Sequence, residues 1–205
     1  MKKFELTNEF VTNSYGVKLF RVKALVEFGD VEAGELGGYI EKEYNLSHNG
    51  NAWVSGNAQV SGNAQVSGNA RVYGDARVSG NAWVSGNARV YGDAWVSGNA
   101  RVSGNAWVSG NARVYDDALV RGNEDYAYAH GFGSQNRTTT FFRLRDGGVG
   151  VRCGCFYGTL QKFRDKIRET HGETKKAQEY LMLADLMKLR FEEDENEVGN
   201  RKYVE

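Results

Sequence analysis

The sequence predicts a mainly β protein: a parallel β-helix with an N-terminal cap and a small C-terminal ββαα domain. Three observations carry that reading. From Asn51 to Gly122 the chain is twelve consecutive hexapeptides without an insertion, with alanine second and valine fourth in every unit. Glycine, 26 residues in all, closes each unit except the one ending at Asp116, and proline is absent. Beyond the repeat, two alternating runs flank Asp146-Gly147-Gly148, and two apolar stripes of helical spacing follow.

Within a unit such as Asn-Ala-Arg-Val-Ser-Gly, alternation puts Ala and Val on one side of a short strand and the residue between them on the other. The Ser-Gly-Asn that follows is turn chemistry, since Gly and Asn tolerate positive φ. Each unit is therefore a strand and a corner, and three units make an 18-residue coil with Ala and Val inside. Coils stack about 4.8 Å apart through the backbone, so twelve units make four coils and about 19 Å of solenoid.

The flanks divide the chain into three regions: 1–50, 51–130 and 131–205. The first is mixed, with six basic and eight acidic residues and an alternating run at Val17–Val22. It is expected to cap the open end of the solenoid, with Gly34–Ile40 as an irregular first coil. After residue 122 the period fades through Asn123–His130, and Gly131–Asn136 reads as a linker. Thr138–Arg145 and Val149–Phe156 form the predicted hairpin. Alternation is taken to put Phe142 and Leu144 on one face with Val149, Val151, Cys153 and Cys155, and Arg143, Arg145 and Arg152 together on the other. Thr159 is the N-cap of a helix carrying Leu160, Phe163 and Ile167, closed by His171-Gly172. A second helix over 174–191 carries Ala177, Tyr180, Leu181, Ala184 and Met187, and Glu192–Glu197 is an acidic, solvated tail.

Composition narrows the function. With 26 basic and 26 acidic residues the net charge is zero, which argues against coating long nucleic acid or an anionic membrane. No apolar run approaches the roughly 20 residues of a membrane span. The start MKKFELTNEF lacks an apolar leader core, and two cysteines are too few for a disulfide scaffold, so the expected compartment is the reducing cytoplasm.

The exterior positions hold the candidate site. With 18 residues per coil they sort into three rows: Trp53, Arg71, Arg89, Trp107; then Gln59, Arg77, Trp95, Arg113; then Gln65, Trp83, Arg101, Leu119. The residue after valine adds Tyr73 and Tyr91 to the first row, and Asp75 and Asp93 stack at the neighbouring corner. Two guanidinium groups about 5 Å apart repel by roughly 0.8 kcal/mol in water. An anion, a carboxylate or an aromatic plane relieves that repulsion. Trp53, Arg71, Tyr73, Arg89, Tyr91 and Trp107 are therefore the candidate binding row for a phosphate with a base or sugar on the aromatics, and Arg143, Arg145 and Arg152 are a second basic cluster. Such ladders also form cross-strand pairs and oligomer interfaces. Cys153 and Cys155 offer two thiols, with His171 as a third ligand and no fourth, whereas a structural zinc site wants four. They read as packing residues, and neither metal nor cofactor is expected.

Written from the valine, the unit V-[SY]-G-[ND]-A-x resembles the hexapeptide signature of left-handed β-helix proteins, which implies a left-handed coil. Leu36-Gly37-Gly38-Tyr39-Ile40-Glu41, Asn45-Leu46-Ser47, the array itself, and Gly154–Leu160 with Thr170-His171-Gly172 are similar to phage and prophage hexapeptide-repeat proteins. These are labelled polymer-forming or transferase-like. The resemblance implies a phage-type protein acting in the cytoplasm of a bacterial host. Left-handed β-helix acyltransferases use a histidine base, and here the array has none; His48 precedes it and His130 follows it. The γ-class carbonic anhydrases need three histidines from the coils, which this chain lacks. The expectation is a non-catalytic homo-oligomer, with a trimer favoured, that captures an anionic nucleotide-like molecule. The alternatives are a structural assembly module with a protein partner, and an acyltransferase.

Overall fold

The computed structural model describes residues 2–133 and 135–192, so the acidic tail lies outside the described residues apart from Glu192. The N-terminal region forms β1 (Phe4–Thr12), β2 (Lys18–Ala24) and β3 (Leu36–Ile40). β1 and β3 each pair antiparallel with β2. β3 then runs parallel to the repeat, with Tyr39 opposite Gln59 and Ile40 opposite Val60. Leu46 bridges to Val66, so the stretch before the array stacks on its first units through both contacts.

Each hexapeptide contributes one two-residue strand. One sheet stacks β4 (Trp53–Val54), β7 (Arg71–Val72), β10 (Arg89–Val90) and β13 (Trp107–Val108). The second continues β3 with β5 (Gln59–Val60), β8 (Arg77–Val78), β11 (Trp95–Val96) and β14 (Arg113–Val114). The third stacks β6 (Gln65–Val66), β9 (Trp83–Val84), β12 (Arg101–Val102) and β15 (Leu119–Val120). Between coils of the array the register is 18 residues, Trp53 beside Arg71 beside Arg89 beside Trp107. Backbone bonds between coils hold it: the Gln59 N–H donates to Ala76 O and the Ser61 N–H to Val78 O, both at 2.9 Å.

All twelve alanines and all twelve valines of the array are buried, and outside them the corner asparagines form ladders, Asn63 to Asn81 to Asn99 and Asn69 to Asn87 to Asn105, at 3.1 Å per step. The corners explain the glycine. Gly86 sits at φ +64°, and a Cβ there would lie 2.9 Å from the Gly104 nitrogen in the next coil. Asp116 takes the same left-handed conformation, at φ +55°.

Past the array the chain forms β16 (Tyr126–Phe132), β17 (Arg137–Arg143), β18 (Val149–Cys153) and β19 (Phe156–Thr159), one antiparallel sheet in that order. The expected hairpin is its centre. The stretch read as fading repeat and linker supplies the first strand, because Tyr126, Ala127, Tyr128 and Ala129 pair with Phe142 through Thr139. The pairing also corrects the expected faces: Val151 lies opposite Phe141, and Arg152 opposite Thr140. Directly opposed residues share a side, so Val151 belongs with Phe141, and Arg152 lies on the other side from Arg143.

Adjacent phenylalanines on β17 serve two cores, as alternation requires. Phe142, with Tyr126, closes the end of the Ala/Val column. Phe141 and Val151 pack under α1 (Leu160–His171) and α2 (Lys175–Phe191), against Phe163, Ile167, Tyr180, Ala184 and Met187. Thr159 caps α1 by accepting from the Lys162 N–H, and Thr174 caps α2 by accepting from Ala177. At the opposite end Phe4, Val22 and Ile40 cover the column, and the buried Lys3 ammonium donates to Gly50 O and Ala52 O.

Candidate functional site

The first exterior row stacks as the 18-residue period requires, but the chain satisfies it internally. Trp53 is 1% exposed and meets the Phe28 ring edge-on at 5.4 Å. Its place in a ligand-binding row is therefore corrected: the N-terminal cap folds over the first coil and takes Trp53 into the core. Arg71 pairs with Asp30 from the same cap, and burial and then Arg89 hold its pKa below the usual value. The Arg89 guanidinium lies 4.9 Å from the Trp107 ring. The repulsion between the two arginines is thus relieved by a carboxylate on one side and an indole on the other. Tyr73 and Tyr91 stack at 5.0 Å with ring planes 2° apart, and burial raises the Tyr73 pKa.

The second predicted cluster is dispersed. Arg143 lies over the Phe191 ring on the helix side at 5.4 Å. Arg152 lies over Tyr115 on the solenoid side at 5.0 Å. Arg145, beyond the strand end, donates to the Asn99 carbonyl of the third sheet's corner. Strand parity separates the first two, and the turn carries the third away. Together they dock the C-terminal sheet on the helices and on the solenoid.

A cleft lies elsewhere, between the second exterior row and the edge of the C-terminal sheet. It has a volume of about 810 Å³ and is walled by Arg77, Trp95 and Arg113 on the solenoid and by His130, Arg137 and Thr138 on β16 and β17. Asp75 and Asp93 form its rim. Arg113 stacks on Trp95 at 5.8 Å, and the indole N–H donates to Ser79 Oγ at 3.2 Å. The Arg113 backbone N–H donates to Thr140 Oγ1, which fixes the C-terminal sheet against this row. Among the described residues no carboxylate stands within ion-pair distance of Arg77, Arg113 or Arg137, each of them exposed. Three guanidinium groups around one cleft offer forked donors of the kind that suit phosphate or carboxylate, beside the Asp75 and Asp93 carboxylates that line the same space. The sequence already contained the row Gln59, Arg77, Trp95, Arg113 and the Asp75/Asp93 corner. What it lacked was the sheet edge that makes a wall of them.

The histidines that flank the array are both engaged. His48 accepts from the Lys3 N–H through Nδ1, bonds Glu43 through Nε2 at 2.8 Å, and stacks on Phe4. His130 in the cleft bonds Thr138 Oγ1 at 2.9 Å. Cys153 lies 3.1 Å from Thr139 Oγ1 and 3.9 Å from the Tyr180 hydroxyl, while Cys155 is exposed in the following turn. Burial and then Cys153 push the Tyr180 pKa up to about 12. No helix among the described residues is long and apolar enough to cross a membrane.

No curated protein matches the chain. The array itself matches a known repeat family in five windows, 64–80, 70–86, 82–98, 94–110 and 106–122. Over residues 64–122, under a third of its length, the chain is similar to the YdcK beta solenoid repeat, in agreement with the stacked coils of the structure.

Proposed function

We propose that the chain is a non-catalytic, homo-oligomeric binding protein that captures an anionic, nucleotide-like molecule in the cleft between its second exterior row and its C-terminal sheet. One observation carries this reading: Arg77, Arg113 and Arg137 converge on a space of about 810 Å³, inside the range of about 300–1,000 Å³ that ligand sites occupy. Phosphate suits the forked guanidinium donors, and the Asp75 and Asp93 carboxylates on the rim suit sugar hydroxyls or a base amino group. The resemblance to phage hexapeptide-repeat proteins supports a purpose, sequestration of a nucleotide signal of host immunity in the bacterial cytoplasm.

Calorimetric titration with inorganic phosphate, AMP, ADP-ribose, cyclic dinucleotides and acetyl-CoA tests the reading. One nucleotide class is expected to bind. Arg77→Ala, Arg113→Ala and Arg137→Ala should each weaken it by about tenfold or more, the cost of a charge-assisted bond. Arg71→Ala should change it by less than about twofold, because that guanidinium is committed to Asp30. Silence across the nucleotides, or affinity indifferent to the three cleft arginines, overturns the proposal.

A second reading has its own support. Trp107 is 45% exposed, and the Arg89–Trp107 and Tyr73–Tyr91 pairs give the first exterior row the composition of a protein interface. Both ends of the alanine–valine column are covered by other parts of the chain. That favours lateral association into a closed trimer over end-to-end filaments. Native mass spectrometry distinguishes the two.

A further inference from the structure

Tryptophan takes four of the twelve positions between alanine and valine, and at two of them it anchors the same three-residue unit on neighbouring sheets. The Trp83 indole N–H donates to Ser67 Oγ of the preceding coil at 3.0 Å, and the Arg101 guanidinium of the following coil lies 5.5 Å from its ring. Trp95 repeats this with Ser79 and Arg113 in the cleft. The coil does not require the indole, since Gln65 holds the equivalent position beside Trp83. The ring is nevertheless fixed by a hydrogen bond while the residue stays 42% exposed. An exposed aromatic ordered in this way has met part of the entropy cost of binding before any ligand arrives.

The unit on the third sheet has a wall of its own. Arg145, carried over by the turn after β17, donates to the Asn99 carbonyl. It closes a groove of about 320 Å³ against Trp83, Arg101 and the ladder of Asn63, Asn81 and Asn99, a volume at the small end of ligand sites. The groove differs from the cleft at its corner. Asp75 and Asp93 flank the cleft's unit, whereas Asn81 and Asn99 flank this one. The residues lining the groove include two arginines and no carboxylate. Among the described residues no carboxylate stands within ion-pair distance of Arg101 or Arg145, both exposed.

The ladder does not exhaust its amides. Asn63 Nδ2 donates to Asn81 Oδ1, and Asn81 Nδ2 donates to Asn99 Oδ1. A side-chain amide has two N–H groups and two lone pairs on its oxygen, so Asn81 keeps one donor and one acceptor free of the ladder. Groups that both donate and accept, beside an exposed apolar ring, match a pyranose, whose hydroxyls do the same and whose C–H groups pack on an aromatic. The Arg101 fork adds a seat for a carboxylate.

We propose that the groove is a binding site for an acidic saccharide. The hydroxyls of a uronate ring bond the Asn81 and Asn99 amides, its C–H groups pack against Trp83, and its carboxylate pairs with Arg101. The site lies on a different sheet of the solenoid from the nucleotide cleft and shares none of its residues.

The test is ¹⁵N-resolved NMR of the indole N–H signals of Trp53, Trp83, Trp95 and Trp107, with trigalacturonate and its methyl ester as probes. The Trp83 signal is the one missing from Trp83→Gln. Trigalacturonate should shift it saturably and leave Trp95 unmoved. The ester, which keeps the rings and loses the charges, should bind about tenfold more weakly, the worth of a charge-assisted bond. By calorimetry, Arg101→Gln should weaken trigalacturonate about tenfold and leave the ester unchanged, and Trp83→Gln should reduce both below detection. Glutamine is a residue the array itself carries at this position, so the coil is kept. Arg113→Ala, which removes an arginine of the cleft, should leave trigalacturonate binding unaltered, so failure here and failure of the nucleotide reading are told apart. No shift at Trp83, a shift at Trp95 in its place, equal affinity for acid and ester, or displacement of the saccharide from Trp83 by AMP each overturns the proposal.

Discussion

Replacing Gly86 by alanine probes the reason for the glycine column. The residue stands at φ +64°, where an L side chain costs about 1–2 kcal/mol. The new methyl would lie 2.9 Å from Gly104 N and 3.1 Å from Gly104 O, whereas carbon settles at about 3.5–4.0 Å from its neighbours. The Gly104 backbone is not free to retreat, since its carbonyl accepts from the Asn87 N–H at 2.8 Å. Forcing the coils apart adds about 1–3 kcal/mol, as overpacking does elsewhere. The control is Gly16→Ala in the β1–β2 turn, at φ +77° with nothing within 4 Å of the added carbon, which should cost the backbone part alone. In a domain of this size 1 kcal/mol corresponds to about 2–4 °C in Tm. Gly86→Ala should therefore lower Tm by about 4–20 °C and Gly16→Ala by about 2–8 °C, with a matching gap in urea midpoint followed by circular dichroism. Equal losses in the two variants would refute the claim that stacking, rather than conformation alone, selects glycine at the corners.

Two further outcomes follow from the packing. Burial, then Arg71, lowers the Lys3 pKa from its usual 10.5 to about 8. Between those values the unfolded chain holds the extra proton, so stability should rise with pH. Burial and then Asp116 push Tyr157 up to about 12, and Tyr180 is raised likewise. Above pH 10 the unfolded chain gives up those protons first, so stability should then fall; urea midpoints should peak near pH 10, and Lys3→Met should flatten the rising limb. Tyr115→Ser keeps the coil's own chemistry but removes the contacts to Arg152 and Tyr157, a loss of about 1–2 kcal/mol. Amide exchange in β18 and β19 should quicken by about tenfold while the solenoid stays protected; uniform acceleration would mean that Tyr115 supports the coil instead.

Much of this protein is written locally. An alternation of two and a period of six dictate which atoms face inward, and stacking identical coils turns those into an 18-residue register; Arg71 beside Arg89 and Tyr73 beside Tyr91 follow from counting. The cap of the first helix at Thr159 was legible in the same way, because a hydroxyl three residues before a backbone N–H is a local arrangement.

The site was not local, and there tertiary structure decided. Trp53 was identical by pattern to Trp107, yet one is buried and the other exposed, because a cap some 25 residues upstream folds over the beginning of the array and not its end. Arg71 lost its availability to Asp30 for the same reason. The hairpin arginines separated because register, which a turn and a single extra strand determine, sets which side of a sheet each occupies. The cleft of Arg77, Trp95, Arg113 and Arg137 exists only where the edge of one sheet comes to rest against the flank of another. Periodicity determines rows along a solenoid, but a concave site needs a second wall, and its position depends on the long-range packing of Phe142 and Tyr126 on the last coil.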